Sequence, residues 1–218
     1  FAHHMDFKLE SKRESSIELF IEDNEETIKN YPFKFKFVVG YILKENSLEF
    51  TFKVINKDNK TMYYSYGGHP GFNVPFAGVG KFEDYYLEFT KPSYEQRTFT
   101  ENGLYPNVNV KWNLKNNQLP LRHNLFDNDA IFFESNKDVV CLKNKINSNY
   151  IKLTFNNMKA IGFWHANKSD APFICFEPQF GFPGVEGLIG EIKDKLDESK
   201  LEIGEEHNNS YIVEFYVQ

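Results

Sequence analysis

Cysteine is scarce in this chain of 218 residues, which has only Cys141 and Cys175. Each sits in an apolar, strand-like run and no C-x-x-C spacing occurs. Both therefore read as buried free thiols of a reducing compartment. The six histidines, His3, His4, His69, His123, His165 and His207, make no H-x-x-x-H pair, so no built-in metal site is expected. There is no G-x-S-x-G elbow, no Walker loop and no dinucleotide fingerprint, and no cofactor is expected. Arginine is limited to Arg13, Arg97 and Arg122. The formal net charge is −6, with lysines and acids interspersed and no basic cluster, which argues against a nucleic-acid partner. No apolar run approaches a membrane-spanning length and no signal peptide is visible, so a soluble cytoplasmic protein is the plain expectation.

Aromatic residues are abundant instead, with 23 Phe and 12 Tyr. They fall in short alternating runs, the signature of half-buried strands. Strands are expected at Phe7–Leu9, Ser16–Ile21, Phe33–Leu43, Leu48–Ile55, Tyr85–Phe89, Ile131–Phe133, Val139–Leu142, Tyr150–Phe155, Ala160–Trp164, Phe173–Phe176 and Tyr211–Val217. Turn residues separate them, at Glu45-Asn46, Asn56 to Lys60, Glu101-Asn102-Gly103 and Asn116-Asn117. Asn24 is placed to cap one helical turn that ends before Pro32. Val185 to Ser199 reads as loop, with a charged stretch from Glu191 and no clear apolar stripe. The pattern alone supports one large antiparallel β domain, and the length suffices for a proper core.

Two stretches carry candidate chemistry. In Tyr66-Gly67-Gly68-His69-Pro70-Gly71-Phe72-Asn73-Val74-Pro75, the glycines permit positive φ or close approach to a ligand. The prolines stiffen a loop leaving a sheet. A histidine held there is a general acid or base candidate, or else a solvated imidazole on a surface turn. In Ala171-Pro172-Phe173-Ile174-Cys175-Phe176-Glu177-Pro178, Glu177 follows a buried-strand run. Partial desolvation there would raise its pKa toward that of a working base. Asp129 could pair with Glu177 as glycosidase carboxylates do, although Asp127-Asn128-Asp129 is also an ordinary turn. Trp164 suits stacking on a sugar, or simply a core position.

Together H-P-G-F-N-x-P and A-P-F-x-C-x-E-P resemble the galactose mutarotase-like family, the aldose 1-epimerases. Asn24-Glu25-Glu26-Thr27, Tyr31-Pro32-Phe33, Leu121-Arg122-His123 and Leu125-Phe126-Asp127-Asn128-Asp129-Ala130 are similar to segments of a bacterial branch of it. The resemblance runs from Phe1 to about Tyr211. It implies an all-β fold, a large antiparallel β-sandwich (supersandwich). It also implies cofactor-independent interconversion of the α and β anomers of an aldohexose, with a small-molecule sugar as partner. Glu177 would be the base, His69 the acid and Asp129 a sugar-hydroxyl partner. The polar atoms of His69 and Glu177 are expected about 5–8 Å apart on one sheet face, so that a pyranose C1 unit fits between two hydrogen bonds. The alternatives are a non-catalytic carbohydrate-binding domain and a hexose-6-phosphate epimerase. The latter would want arginine at the pocket mouth, from Arg97 or Arg122.

The chain departs from the branch at Gln179, where an aromatic is common, and at His3, where the branch has arginine. Phe1-Ala2-x-x-Met5-x-Phe7 is similar to the branch's F-A-R-x-M-x-F. Residues 1–218 are therefore expected to be a single domain, with earlier family strands lying ahead of Phe1. The other reading is a tag remnant ending at His4. Neither the physiological aldose nor the oligomeric state follows from the sequence.

Overall fold

The computed structural model describes residues 1–100 and 102–217. Of the turn expected at Glu101-Asn102-Gly103, Glu101 lies outside the described residues. The strands in chain order are β1 (Lys8–Arg13), β2 (Ser16–Glu22), β3 (Phe35–Lys44), β4 (Ser47–Asn56), β5 (Met62–Tyr64), β6 (Gly71–Asn73), β7 (Tyr85–Phe89), β8 (Ser93–Arg97) and β9 (Asn109–Asn113). They continue with β10 (Gln118–Pro120), β11 (Ile131–Glu134), β12 (Lys137–Asn144), β13 (Tyr150–Asn156), β14 (Ala160–Trp164), β15 (Phe173–Gln179), β16 (Ser199–Leu201) and β17 (Glu206–Tyr216). One α-helix, α1 (Glu25–Asn30), is present among the described residues. Asn24 caps it by accepting from the Glu26 and Thr27 amides at 2.9 Å, which satisfies two of the donors a helix start leaves open.

The chain divides into two compact units. The first holds residues 1–64 and 199–213. Here β1 to β4 form an antiparallel meander, with β17 beside β4. Alternation every second residue turns Phe35, Phe52 and Val54 inward, and Phe50 stacks on Tyr211 at 4.6 Å.

The second unit, residues 65–198 and the stretch from Glu214, contains the candidate site. Strands β13, β12, β7 and β10 pair in that order, and β6, β15, β14, β11, β8 and β9 form a second antiparallel sheet. One face of each is apolar. Phe89 of β7 meets Phe133 of β11 and Phe163 of β14 edge-on at 5.7 and 5.6 Å. Leu87, Val140, Leu142, Leu153 and Phe176 are fully buried around them. This is sandwich packing, and it leaves the other face of the β6–β9 sheet for chemistry.

The strands seen in the sequence recur within a few residues, while β5, β6, β8, β9, β10 and β16 were not anticipated. Four of these are three residues long, too short for a readable alternation, and β8 carries a single aromatic, Tyr94. Strand β9 does alternate, through Val110 and Trp112, although it is almost entirely exposed. Cys175 is buried, but Cys141 on β12 is only half-buried, which corrects the expectation of two buried thiols.

Candidate active site

Glu177 does not stand at the exit of its strand. It lies inside β15, which runs on through Pro178 to Gln179. Nor does His69 sit on a loop leaving the sheet. Residues 66–70 run along the free edge of β15 and pass directly into β6. Gly71 faces Cys175 and Gly67 faces Gln179, so the same register sets His69 opposite Glu177. Backbone bonds confirm it. Gly68 donates to the Pro178 carbonyl at 2.9 Å, Phe176 to Pro70 at 3.0 Å and Phe180 to Tyr66 at 2.8 Å. A strand residue's N–H and C=O point to the same side, so the N–H that Pro178 lacks would have faced the edge segment.

Directly opposite residues of an antiparallel pair share a face and hold their Cβ atoms close together. His69 Nε2 accordingly lies 3.0 Å from Glu177 Oε1. This is shorter than the 5–8 Å expected from the sequence, which assumed a sugar clasped between the two groups. Cross-strand pairing sets the groups side by side instead. The His69 side chain is 56% exposed and that of Glu177 only 7%. Burial raises the Glu177 carboxyl above the ordinary carboxylate range. The His69 charge and the Gln179 amide oppose that rise, and the Asp129 charge adds to it.

The pairing continues as one row across the sheet. Glu177 faces Gly162, Gly162 faces Phe132, Phe132 faces Arg97 and Arg97 faces Asn109. At Gly162 a Cβ would meet the Phe132 ring at 2.3 Å, so the ring lies across the glycine on the Glu177 side. Arg97 is 7% exposed. Its Nε and Nη2 lie 2.9 Å from Glu134 Oε1 and its Nη1 is 2.8 Å from Asp197 Oδ2. Its guanidinium packs 3.7 Å from the Phe182 ring centre and 4.7 Å from that of Tyr105.

Trp164 faces Cys175 and is half-buried, with its ring edge-on to His69 at 5.9 Å and tilted on Phe173 at 5.7 Å. The segment after it is fastened by His165, which is fully buried. His165 Nε2 lies 2.8 Å from the Ala171 carbonyl and 2.9 Å from His123 Nδ1. The carbonyl can only accept, so Nε2 carries the proton and His123 Nδ1 accepts. Asp129 is exposed, at φ 79°, and its Oδ1 accepts from the Ala130 amide at 2.8 Å. It is thus a turn residue that also acts electrostatically on Glu177. His69, Glu177, Trp164 and Asp129 therefore belong to one neighbourhood. The sequence reading missed Phe132 and Gly162, which only register brings beside Glu177, and the His123–His165 contact, which joins two segments outside the strands. Gly67 and Gly68 do not use positive φ; at Gly67 the requirement is close approach by the Gln179 side chain.

Among the described residues no group of three or more His, Cys, Asp or Glu is placed to hold a metal ion. An apolar groove of about 480 Å³, lined by Phe72, Pro75, Phe76, Ile151 and Phe215, has no titratable side chain in its walls. It lacks the means for acid–base chemistry.

Comparison with known proteins agrees along the chain. The aldose 1-epimerase family model matches residues 1–185. The chromosomal protein LacX of Lactococcus lactis subsp. lactis is 34% identical over 204 residues, which cover 90% of this chain and 68% of that protein. A galactose mutarotase related enzyme from Lactobacillus acidophilus superposes with a TM-score of 0.92 at 29% identity, over 100% of this chain and 73% of that one. A galactose mutarotase-like protein from Lactobacillus casei gives 0.89 at 27% identity, over 99% and 75%.

Proposed function

Since this chain belongs to the aldose 1-epimerase family, we propose that it interconverts the α and β anomers of an unphosphorylated aldohexose, with Glu177 as base and His69 as acid. The observation that carries this reading is the in-register contact of a buried carboxylate and an exposed imidazole at 3.0 Å. Anomer exchange needs one group to take the proton of the anomeric hydroxyl and another to protonate the ring oxygen. Both oxygens are bonded to the same carbon, so an acid and a base side by side serve them together. The hydrogen bond between His69 and Glu177 is exchanged for one bond from each to the sugar. Glu177 removes the O1 proton and His69 delivers one to O5. The C1–O5 bond breaks and the free aldehyde forms. After rotation about C1–C2 the two protons return and the ring closes on the other face. Each transfer is worth roughly 10²–10⁴-fold, and the raised carboxyl of Glu177 suits a base working nearer neutrality.

Asp129 and Trp164 are assigned to the sugar's hydroxyls and apolar face. Arg97 is the arginine a sugar phosphate would want on this face, but Glu134 and Asp197 already neutralise it. That removes Arg97, though not the exposed Arg122, as a phosphate partner and supports the unphosphorylated substrate.

Polarimetry on freshly dissolved α-glucose and α-galactose tests the proposal. The rate of approach to anomeric equilibrium should rise in proportion to protein concentration for at least one sugar. Binding of hexose with no acceleration of either would replace the enzyme reading with that of a carbohydrate-binding domain.

A further inference from the structure

We propose that Gln179 is a positioning residue for Glu177, its side-chain amide holding Oε2 so that Oε1 is left to His69 and the sugar. The inference rests on the reading of Glu177 as the base. Residues two apart on a strand share a face, and Gln179 stands two beyond Glu177 on β15. Its Nε2 lies 3.4 Å from Glu177 Oε2. The amide nitrogen must be the atom turned toward the carboxylate, because a carboxylate can only accept. Each carboxylate oxygen thus has its own donor, His69 Nε2 on Oε1 at 3.0 Å and Gln179 on Oε2.

The opposite strand is cut to fit. Gly67 faces Gln179, and a Cβ at Gly67 would sit 1.9 Å from Gln179 Oε1, 2.5 Å from Cδ and 2.9 Å from Nε2. The glutamine side chain therefore lies over Gly67, and the missing Cβ gives it room. Alanine at 67 would meet only the tip of a flexible side chain, on a backbone that any residue adopts. It would push the amide off Glu177 and leave the fold standing.

This makes Gly67→Ala the companion of Gln179→Leu. The first measurement is the titration of the Glu177 carboxyl carbon by NMR in wild type and both variants, which needs no activity. Loss of a donor to the charged form should move the Glu177 midpoint upward in both variants. The second is anomer exchange. In both variants kcat should fall roughly 10- to 100-fold, since a displaced catalytic group loses orientation. The acid limb of the pH profile should move up in step with the titration. The double variant should be no worse than either single, because both remove the same bond.

An unchanged Glu177 midpoint in Gln179→Leu overturns the proposal, and so do additive losses in the double variant. Failure of the parent reading looks different. If Glu177→Gln exchanges anomers as fast as wild type, the base assignment falls with everything resting on it. If Glu177→Gln is inactive and Gln179→Leu is unchanged in both measurements, only the positioning role falls.

Discussion

Pro70 and Pro178 stand diagonally across the ladder that holds the His69–Glu177 pair, each one residue beyond its catalytic candidate. Each withdraws an N–H from a hydrogen-bonded pair flanking the site, so the 68–178 and 70–176 pairs keep a single bond apiece, donated by Gly68 and Phe176. His69 is thereby held in register by a ladder of half strength. The Gly68 and Phe176 amides should be protected from hydrogen exchange, although residues 66–70 are not a regular strand. Gly68 exchanging as fast as an unbonded loop amide would remove the register argument that sets His69 opposite Glu177.

Glu177→Gln keeps the shape of the side chain and loses the base. Turnover should drop at least about 10²-fold while hexose binding persists. In wild type the base form is lost as pH falls through the Glu177 midpoint. That midpoint lies above the ordinary carboxylate range, because burial outweighs the His69 and Gln179 contributions. The acid limb of kcat/KM should therefore lie above about pH 4.3, the value for an unperturbed glutamate. A limb at or below that value would contradict the desolvated setting.

The same carboxyl bears on stability. Its folded midpoint exceeds its unfolded one, so folding takes up a proton between the two values. Stability then falls as pH rises through that window, and above it the fold carries the full cost of a buried charge. Glu177→Gln should be more stable than wild type at pH 7, with the difference vanishing below about pH 4.3. Denaturant midpoints at the two pH values provide the test. A variant that is less stable at neutrality would mean that the His69 contact outweighs burial, reversing the sign of the effect.

Alternation every second residue made the strands with a clear inside and outside legible, and β7 and β14 match the sequence reading end to end. It could not find β6, because Gly71-Phe72-Asn73 has no run to alternate in. The proline beside His69 looked like sheet exit, when in fact Pro70 stays in the ladder and accepts from the Phe176 amide at the cost of one bond. His69 and Glu177 were each legible as residue types in context. Their separation was not, since it follows from a register fixed by the bond from Gly68 to Pro178. Phe132 looked like one aromatic among many until pairing set it across Gly162 from Glu177.

Arg97 ties the segment after β15 to the site-bearing sheet through Phe182 and Asp197. Lysine keeps the charge but loses the planar fork and the stacking. Arg97→Lys should lose roughly 1–3 kcal/mol. That is less than the ~3–5 kcal/mol of a fully buried broken pair, because Glu134 and Asp197 are about one-third exposed. Limited proteolysis should then cut within residues 182–198 sooner than in wild type. An unaltered cleavage pattern together with unaltered stability would remove Arg97 from that fastening.

Gly162 is where Glu177 and Phe132 approach one another across a strand. A Cβ there would meet Phe132 Cε1 at 2.3 Å, Cδ1 at 2.7 Å and Cζ at 2.8 Å. The ring cannot simply lift away, because it packs edge-on against Phe99 at 5.4 Å. Gly162→Ala should therefore cost about 1–3 kcal/mol as overpacking. Adding Phe132→Leu should recover part of that loss, since the shorter side chain clears the new methyl, although Phe132→Leu alone is destabilising. The coupling between the two substitutions, measured by denaturant unfolding of all four proteins, should be opposite in sign to the single effects. Simple additivity would show that the Phe132 ring does not lie over Gly162 beside Glu177.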